Sequence, residues 1–203
     1  MPATTQQVTG NMDKALFDQW FDARLEAKLA EREVAHVPTM VIVTTKGTLD
    51  MAYPPFILAS TAVALGWEVE IFFSFYALNL LKKDLQLGIS PLGNPAMPMK
   101  LPMGPKWLRG MEMHLPNLVM ANIPGFEKMA TTLMEKTLSG KGVASIAELR
   151  GLCIEAGVKM SACQMTVDLF EMPRDAFIPE ISEWVGATSM LPRAQRADVN
   201  YFI

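Results

Sequence analysis

The chain has 203 residues, half of them apolar and 19% charged, with a formal net charge of −3, which predicts one compact domain with room for appendages and excludes a disordered, collagen-like or coiled-coil chain. This weakly acidic balance offers no cluster of Lys and Arg for phosphate groups, so nucleic acid is not an expected partner. The two cysteines are too few for a disulfide framework or a four-thiolate zinc site, so any cysteine chemistry must use one or two thiols.

The N-terminal segment is predicted to be an extension that precedes the main domain. Residues 1–14 lack the cationic start, apolar core and small-residue cleavage site of a secretory signal, which favours a cytoplasmic location. Over residues 12–33, Trp20 and several leucines recur at helical spacing among charged residues, which predicts an amphipathic helix. We assign residues 1–38 to this extension and interpret its apolar stripe as a packing or oligomer contact.

The main domain, residues 39–203, is predicted to begin with alternating strands and helices. Residues 39–45 and 67–73 are short apolar runs of the length expected for strands buried on both faces. Helical periodicity follows each run, over residues 51–65 and 77–87. This β-α-β-α order predicts parallel strand pairing with right-handed crossovers. The apolar runs are too short to cross a membrane.

Residues 90–124 interrupt the alternation with a segment rich in proline and methionine. The segment holds seven of the 14 prolines and six of the 16 methionines. A long irregular stretch in a compact domain is usually a functional loop or an assembly element, so we predict an insertion that contacts a partner or a membrane surface. An alternative is that Met97, Met99, Met111 and Met113 offer thioethers to Cu(I), although methionine more often fills apolar gaps.

The rest of the chain is predicted to continue the alternation of helices and strands. Ser145 followed by Glu148 has the pattern of a capping box, and Gly157 stands where that helix would end. The predicted elements are helices over 126–138, 145–156 and 164–170, strands over 158–163 and 199–203, and strand-like material within 180–190.

Cys163 is the first candidate functional residue because it ends a predicted strand, where open α/β sheets place their reactive groups. The helix predicted to begin directly after it would favour the thiolate, which is the nucleophile in sulfur chemistry. Burial as a small apolar side chain is the alternative for Cys163. Cys153 lies on the apolar stripe of the preceding helix, so core packing is the stronger interpretation there. Asp168 is interpreted first as a residue that complements the helix dipole.

Other catalytic motifs are absent from the sequence. The two histidines, His36 and His114, have neither HxxxH nor HxE spacing, and a Cys-His pair would require the 90–124 segment to bring His114 over Cys163. There is no GxGxxG and no P-loop pattern, so no nucleotide cofactor is expected and no metal site is assigned.

Three stretches, taken together, carry a family resemblance. They are segment 41–50 with the 65–73 strand, segment 157–168 with its Cys-Gln-Met-Thr-Val-Asp run, and residues 185–190 with 197–203. They resemble the DsrE/DsrF-like sulfur-carrier family, and most closely its longer, DsrE-type branch that is labelled peroxiredoxin-like. The resemblance implies a flavodoxin-like three-layer α/β/α fold with a central parallel sheet, assembled as a homo-oligomer.

The resemblance also implies a function and a role for each cysteine. Family members accept sulfane sulfur on a cysteine at the position of Cys163 and pass it to TusA-like or rhodanese-like partners. The second cysteine of one branch matches Cys153, so the resemblance implies a two-thiol carrier in which Cys153 resolves or shares the adduct on Cys163. We therefore expect a cytoplasmic, sulfurtransferase-like carrier in sulfur oxidation or sulfur relay, with sulfur held covalently as a persulfide or thiosulfonate and no other cofactor. Two alternatives are a thiol-dependent peroxidase or dithiol redox protein, and a non-enzymatic assembly module that uses residues 90–124.

Overall fold

A computed structural model describes residues 13–90, 99–100, 105, 112–113 and 122–203. Contacts divide the chain into two compact units, Met1–Val37 and Pro38–Ile203. None of the helices in the described residues is both long enough and apolar enough to cross a membrane.

The described part of the first unit is helix α1, Lys14–Ala35. Asp13 is its N-cap, and the Asp13 carboxylate accepts a hydrogen bond from the Ala15 backbone N–H over 3.3 Å. This bond satisfies one of the free N–H groups of the first turn. The predicted amphipathic helix is confirmed, and the large apolar side chains of its stripe are exposed: Leu16, Trp20, Leu25 and Leu29.

The second unit is built from alternating strands and helices. Its strands are β1 (Thr39–Thr44), β2 (Glu68–Phe73), β3 (Met99–Lys100), β4 (Glu112–Met113), β5 (Lys159–Cys163), β6 (Glu183–Val185) and β7 (Val199–Phe202). Its α-helices are α2 (Leu49–Ala64), α3 (Phe126–Gly140), α4 (Ile146–Glu155), α5 (Gln164–Leu169) and α6 (Ala187–Arg196). Short 3-10 helices cover Phe75–Leu81 and Arg174–Ala176.

Five strands form one parallel sheet in the order β6-β5-β2-β1-β7. The chain moves from β1 through β2 and β5 to β6 at one edge, and then crosses the sheet through α6 to reach β7 at the other edge. β3 and β4 form a separate antiparallel pair. This architecture confirms the α/β fold with a central parallel sheet that the sequence predicts.

Strand side chains alternate between two faces of the sheet, and helices cover both faces. Face A, on the side of α2 and α4, holds the larger buried core, to which alternate residues of β1, β2 and β5 contribute. Face B, on the side of α6, holds a smaller buried cluster of Val41, Phe72, Cys163 and Met190. The result is three layers, with the helices of face A, the sheet, and α6 on face B.

Local sequence signals set the ends of α2 and α4. The capping box of α4 is present: the Ser145 hydroxyl accepts a hydrogen bond from the Glu148 N–H over 3.2 Å, and the Glu148 carboxylate accepts one from the Ser145 N–H over 2.7 Å. Gly66 and Gly157 follow α2 and α4 with φ of +84° and +81°, a left-handed conformation in which the absence of a side chain removes the strain.

The predicted helix over residues 77–87 is wrong beyond Leu81. The chain forms a 3-10 helix up to that residue and then runs without regular structure, because its backbone groups pair with the segment that precedes β6. The Lys83 N–H donates to the Ala176 carbonyl, and the Ile178 N–H donates to the Leu81 carbonyl, each over 2.9 Å. A tertiary contact therefore replaces the helical hydrogen bonds that periodicity alone favours.

The strand-like region predicted within residues 180–190 is a strand only in β6. Helix α6 begins two residues after β6, because Met190, Arg193 and Ala194 recur at helical spacing and face the sheet. A helix therefore replaces the predicted strand-like structure over residues 187–190.

The structure describes only parts of the Met/Pro-rich segment. In β3 and β4, Met99 lies opposite Met113 in the strand register. Met97, Met111 and His114 lie outside the described residues, so the predicted interface, the copper alternative and the Cys-His alternative stay predictions.

Candidate functional site

Cys163 is the last residue of β5 and the N-cap residue of α5. Its side chain points to face B, is only 3% exposed, and belongs to the buried cluster with Phe72 and Met190. No disulfide involves Cys163, and its side chain makes no capping hydrogen bond to α5. The structure therefore holds a free thiol at the carboxyl end of a central strand, as the sequence predicts for a reactive position.

The turn after β2 lies alongside this cysteine, because β2 and β5 pair Phe73 with Ala162. Phe75 has φ of +49°, a left-handed conformation that is rare and strained for an aromatic residue. The Phe75 N–H donates to the hydroxyl of the buried Thr166 over 3.2 Å. Thr166 thus ties the strained turn after β2 to helix α5.

Exposed apolar side chains surround this edge of the sheet. Met165 and Leu169 project from α5, while Tyr76 stacks on Phe170 with ring centroids 6.1 Å apart. With Phe75, we call these residues the apolar rim. Several exposed apolar side chains at one edge of a sheet are typical of contact sites for other proteins.

An ionic network lies on face B, next to Cys163 along β5. Ser161, two residues before Cys163, donates to the buried Glu70 carboxylate over 2.6 Å. Arg193 of α6 donates to Glu70 over 2.9 Å and to the second carboxylate oxygen of Glu183 over 2.8 Å. Lys159 forms a further ion pair with Glu183. These residues together form the face B network.

The charges of the face B network stabilise one another. Hydrogen bonds from Arg193, together with those from Lys159, lower the pKa of Glu183 to about 2, and the carboxylates raise the pKa of Arg193. No sequence motif marks these residues as functional. One signal was present, since a glutamate inside an apolar strand needs a charged partner once it is buried.

Cys153 lies on the other face of the sheet. It is fully buried in the face A core, and its thiol donates a weak hydrogen bond to the Phe56 carbonyl over 3.6 Å. Burial raises the pKa of the Cys153 thiol to about 11. The structure therefore does not bring the two cysteines of one chain together, because the sheet lies between them.

Asp168 makes its contacts away from the buried cluster of face B. Its carboxylate accepts a hydrogen bond from Gln164 over 2.5 Å, and Gln164 in turn accepts one from Arg174. The Arg174 guanidinium lies 4.8 Å from the centre of the Trp184 ring. Asp168 is exposed and His36 is exposed. Among the described residues, no group of three His, Cys, Asp or Glu side chains could hold a metal ion.

Comparisons with known proteins show the family to which the chain belongs. The model of the DsrE/DsrF/DrsH-like family matches residues 36–202. The chain is 53% identical over 164 residues to the sulfur carrier protein DsrE2 of Allochromatium vinosum, covering 81% of this chain and 97% of that protein. It is 26% identical over 162 residues to the uncharacterized protein YrkE of Bacillus subtilis, covering 80% and 94%.

Among solved structures, the chain is similar to the ychN protein from E. coli. The TM-score is 0.46 with 9% sequence identity, and the match covers 83% of this chain and 100% of that one.

Proposed function

This chain belongs to the DsrE/DsrF/DrsH-like family, and from that premise we propose that it is a sulfur carrier that holds sulfur covalently on Cys163. The proposal is supported chiefly by the 53% identity to a sulfur carrier protein over 97% of that protein's length. The position of Cys163 agrees with this proposal. Cys163 lies at the carboxyl edge of the sheet beside the apolar rim, whereas Cys153 does not.

The proposed chemistry is thiolate exchange at sulfur. The Cys163 thiolate attacks the outer sulfur of a donor persulfide, the donor's S–S bond breaks, and the donor leaves as a thiolate while Cys163 becomes a persulfide. With tetrathionate, attack on an inner sulfur releases thiosulfate and leaves a thiosulfonate on Cys163. Each step breaks one S–S bond and forms another, without net oxidation or reduction. No external oxidant, reductant or other cofactor therefore takes part.

Delivery is the reverse exchange with a partner protein. A thiolate of the partner attacks the terminal sulfur of the Cys163 persulfide, takes it, and restores the Cys163 thiolate. From the family resemblance, we propose TusA-like or rhodanese-like proteins as partners, in cytoplasmic sulfur oxidation or sulfur relay, and a homo-oligomeric carrier. Purified loaded carrier mixed with a TusA-like protein should lose its adduct as the acceptor gains one, and light scattering should give a mass above one chain.

Intact-protein mass spectrometry tests the loading step. Wild type is incubated with polysulfide or tetrathionate beside Cys163→Ala and Cys153→Ala, which make the same chemical change on opposite faces of the sheet. We expect adducts on wild type and on Cys153→Ala, and none on Cys163→Ala. Equal loading of all three proteins would refute the assignment of Cys163. Peroxide consumption that depends on Cys163, without stable sulfur loading, would instead support the peroxidase alternative.

A further inference from the structure

The proposed sulfur-bearing thiol is almost completely covered. A carrier thiol must meet both a donor and an acceptor, whose sulfur atoms have to reach it in line with the bond that breaks. Cys163 is nevertheless only 3% exposed. Part of the surrounding structure must therefore move before either exchange takes place.

Helix α6 covers the face on which Cys163 lies. It is the crossover between β6 at one edge of the sheet and β7 at the other, which are about 19 Å apart at the usual strand spacing. Its ten residues extend about 15 Å. Met190 is the one residue of α6 that is buried, and it belongs to the same cluster as Cys163.

The apolar packing of α6 is thin. Its other nine residues are exposed or half-buried. A cleft of about 550 Å³ lies at the amino ends of β1, β2 and β5, and Arg193 and Arg196 of α6 form part of its lining. Elements with few buried apolar contacts are the ones that open locally at low free energy. Hydrophobic burial therefore stabilises the packing of α6 on the sheet only weakly.

Arg193 provides a second interaction between α6 and the sheet, through hydrogen bonds to two carboxylates. It follows Met190 by three residues and so lies on the same side of α6. Its guanidinium donates to Glu70 of β2 and to both carboxylate oxygens of Glu183 of β6. Such charge-assisted bonds are stronger and more directional than neutral hydrogen bonds. The same Glu70 oxygen also accepts the bond from Ser161, on the strand that ends at Cys163.

We propose that α6 is a movable cover over Cys163 and that Arg193 is the positioning residue that latches it closed. When Arg193 leaves Glu70 and Glu183, α6 lifts and takes Met190 away from the thiol. Donors and acceptors then reach Cys163 from face B. The purpose of this movement rests on the proposed function, whereas the movement itself can be measured without any sulfur chemistry.

Alkylation of the native protein tests the cover. Iodoacetamide is added to the folded chain, and the labelling rates of the Cys163 and Cys153 peptides are followed by mass spectrometry. The variants are Arg193→Met, which keeps an unbranched side chain without charge, and Arg193→Lys, which keeps the charge. Arg196→Met is the control, because Arg196 is an exposed arginine of the same helix.

We expect Arg193→Met to label Cys163 at least about tenfold faster than wild type, because the rate follows the open fraction. Arg193→Lys should lie between the two, and Arg196→Met should stay within about twofold of wild type. Cys153 reports on global unfolding from the opposite face and should remain unlabelled throughout. An unchanged Cys163 rate in Arg193→Met, or parallel labelling of both cysteines, would overturn the proposal.

Hydrogen exchange on wild type provides a measurement that needs no variant. Amides of α6 should exchange much faster than those of β5, and equal protection would overturn the proposal even if Arg193→Met does not fold. Polysulfide loading of Arg193→Met, measured separately, should be faster than loading of wild type. Faster alkylation in a protein that never loads sulfur would support the cover and refute the carrier function.

Discussion

Replacing Cys153 by alanine is expected to lower the free energy of unfolding by about 1 kcal/mol and to leave sulfur loading unchanged. The residue is fully buried on face A, and the change removes one sulfur atom, comparable in size to a methylene group. Losing a buried methylene costs about 0.8 kcal/mol in transfer free energy, and the small cavity left behind adds some tenths. The weak bond from the thiol to the Phe56 carbonyl over 3.6 Å adds little.

Urea denaturation and thermal melting measure the loss of stability, and the loading assay measures whether sulfur still binds to Cys163. For a chain of this size, about 1 kcal/mol corresponds to a fall of about 2–4 °C in Tm. Cys163→Ala is the matched substitution, with a similar effect on stability and a complete loss of loading. If Cys153→Ala folds as expected but no longer loads or transfers sulfur, the Cys153 thiol takes part in the chemistry. The inference that the sheet keeps Cys153 out of the reaction would then be refuted.

Three further predictions concern the strand ends and the face B network. Gly47→Ala should be strongly destabilising in thermal melts, because the new Cβ would lie 2.0 Å from the Tyr76 carbonyl oxygen. Thr166→Val should cost about 1–3 kcal/mol in urea denaturation, because the Phe75 N–H loses its acceptor. The pKa of Glu183 lies at about 2 in the folded chain against an ordinary 4.5, so its contribution to stability is complete above about pH 4.5 and is lost as the pH falls towards 2. Urea midpoints between pH 7 and pH 3 should show this loss, and a flat profile would contradict it.

Elements whose signals are local could be predicted from the sequence. The mostly apolar runs of β1, β2 and β5 are strands because a strand covered on both faces is built largely from apolar residues. Glu70 and Ser161 depart from this pattern and pair with each other in the face B network. The Ser145–Glu148 capping box and the left-handed Gly157 bound α4 as expected, since each depends on a few neighbouring residues. The placement of Cys163 at the end of a central strand follows from the same local pattern.

Residue pairs that are distant in sequence could not be predicted in this way. The 3-10 helix ends at Leu81 because Lys83 and Ile178 take part in backbone pairing across nearly a hundred residues. The face B network joins Glu70 to Arg193, which are 123 residues apart, and no spacing rule connects them. Only one residue of α6, Met190, is buried, so the helix needs few apolar residues and its sequence resembles a polar linker.

The sequence by itself determined the α/β class and the family, and it indicated Cys163 and Cys153 as candidate residues, because strand periodicity, helix ends and a short motif are all local properties. The tertiary structure decided what surrounds the two cysteines. Cys163 and Cys153 are ten residues apart, yet strand alternation directs one side chain to face B while α4 packs the other into face A. The crossover from β6 to β7 then placed α6 over Cys163, because a chain that changes edges must pass across one face of the sheet.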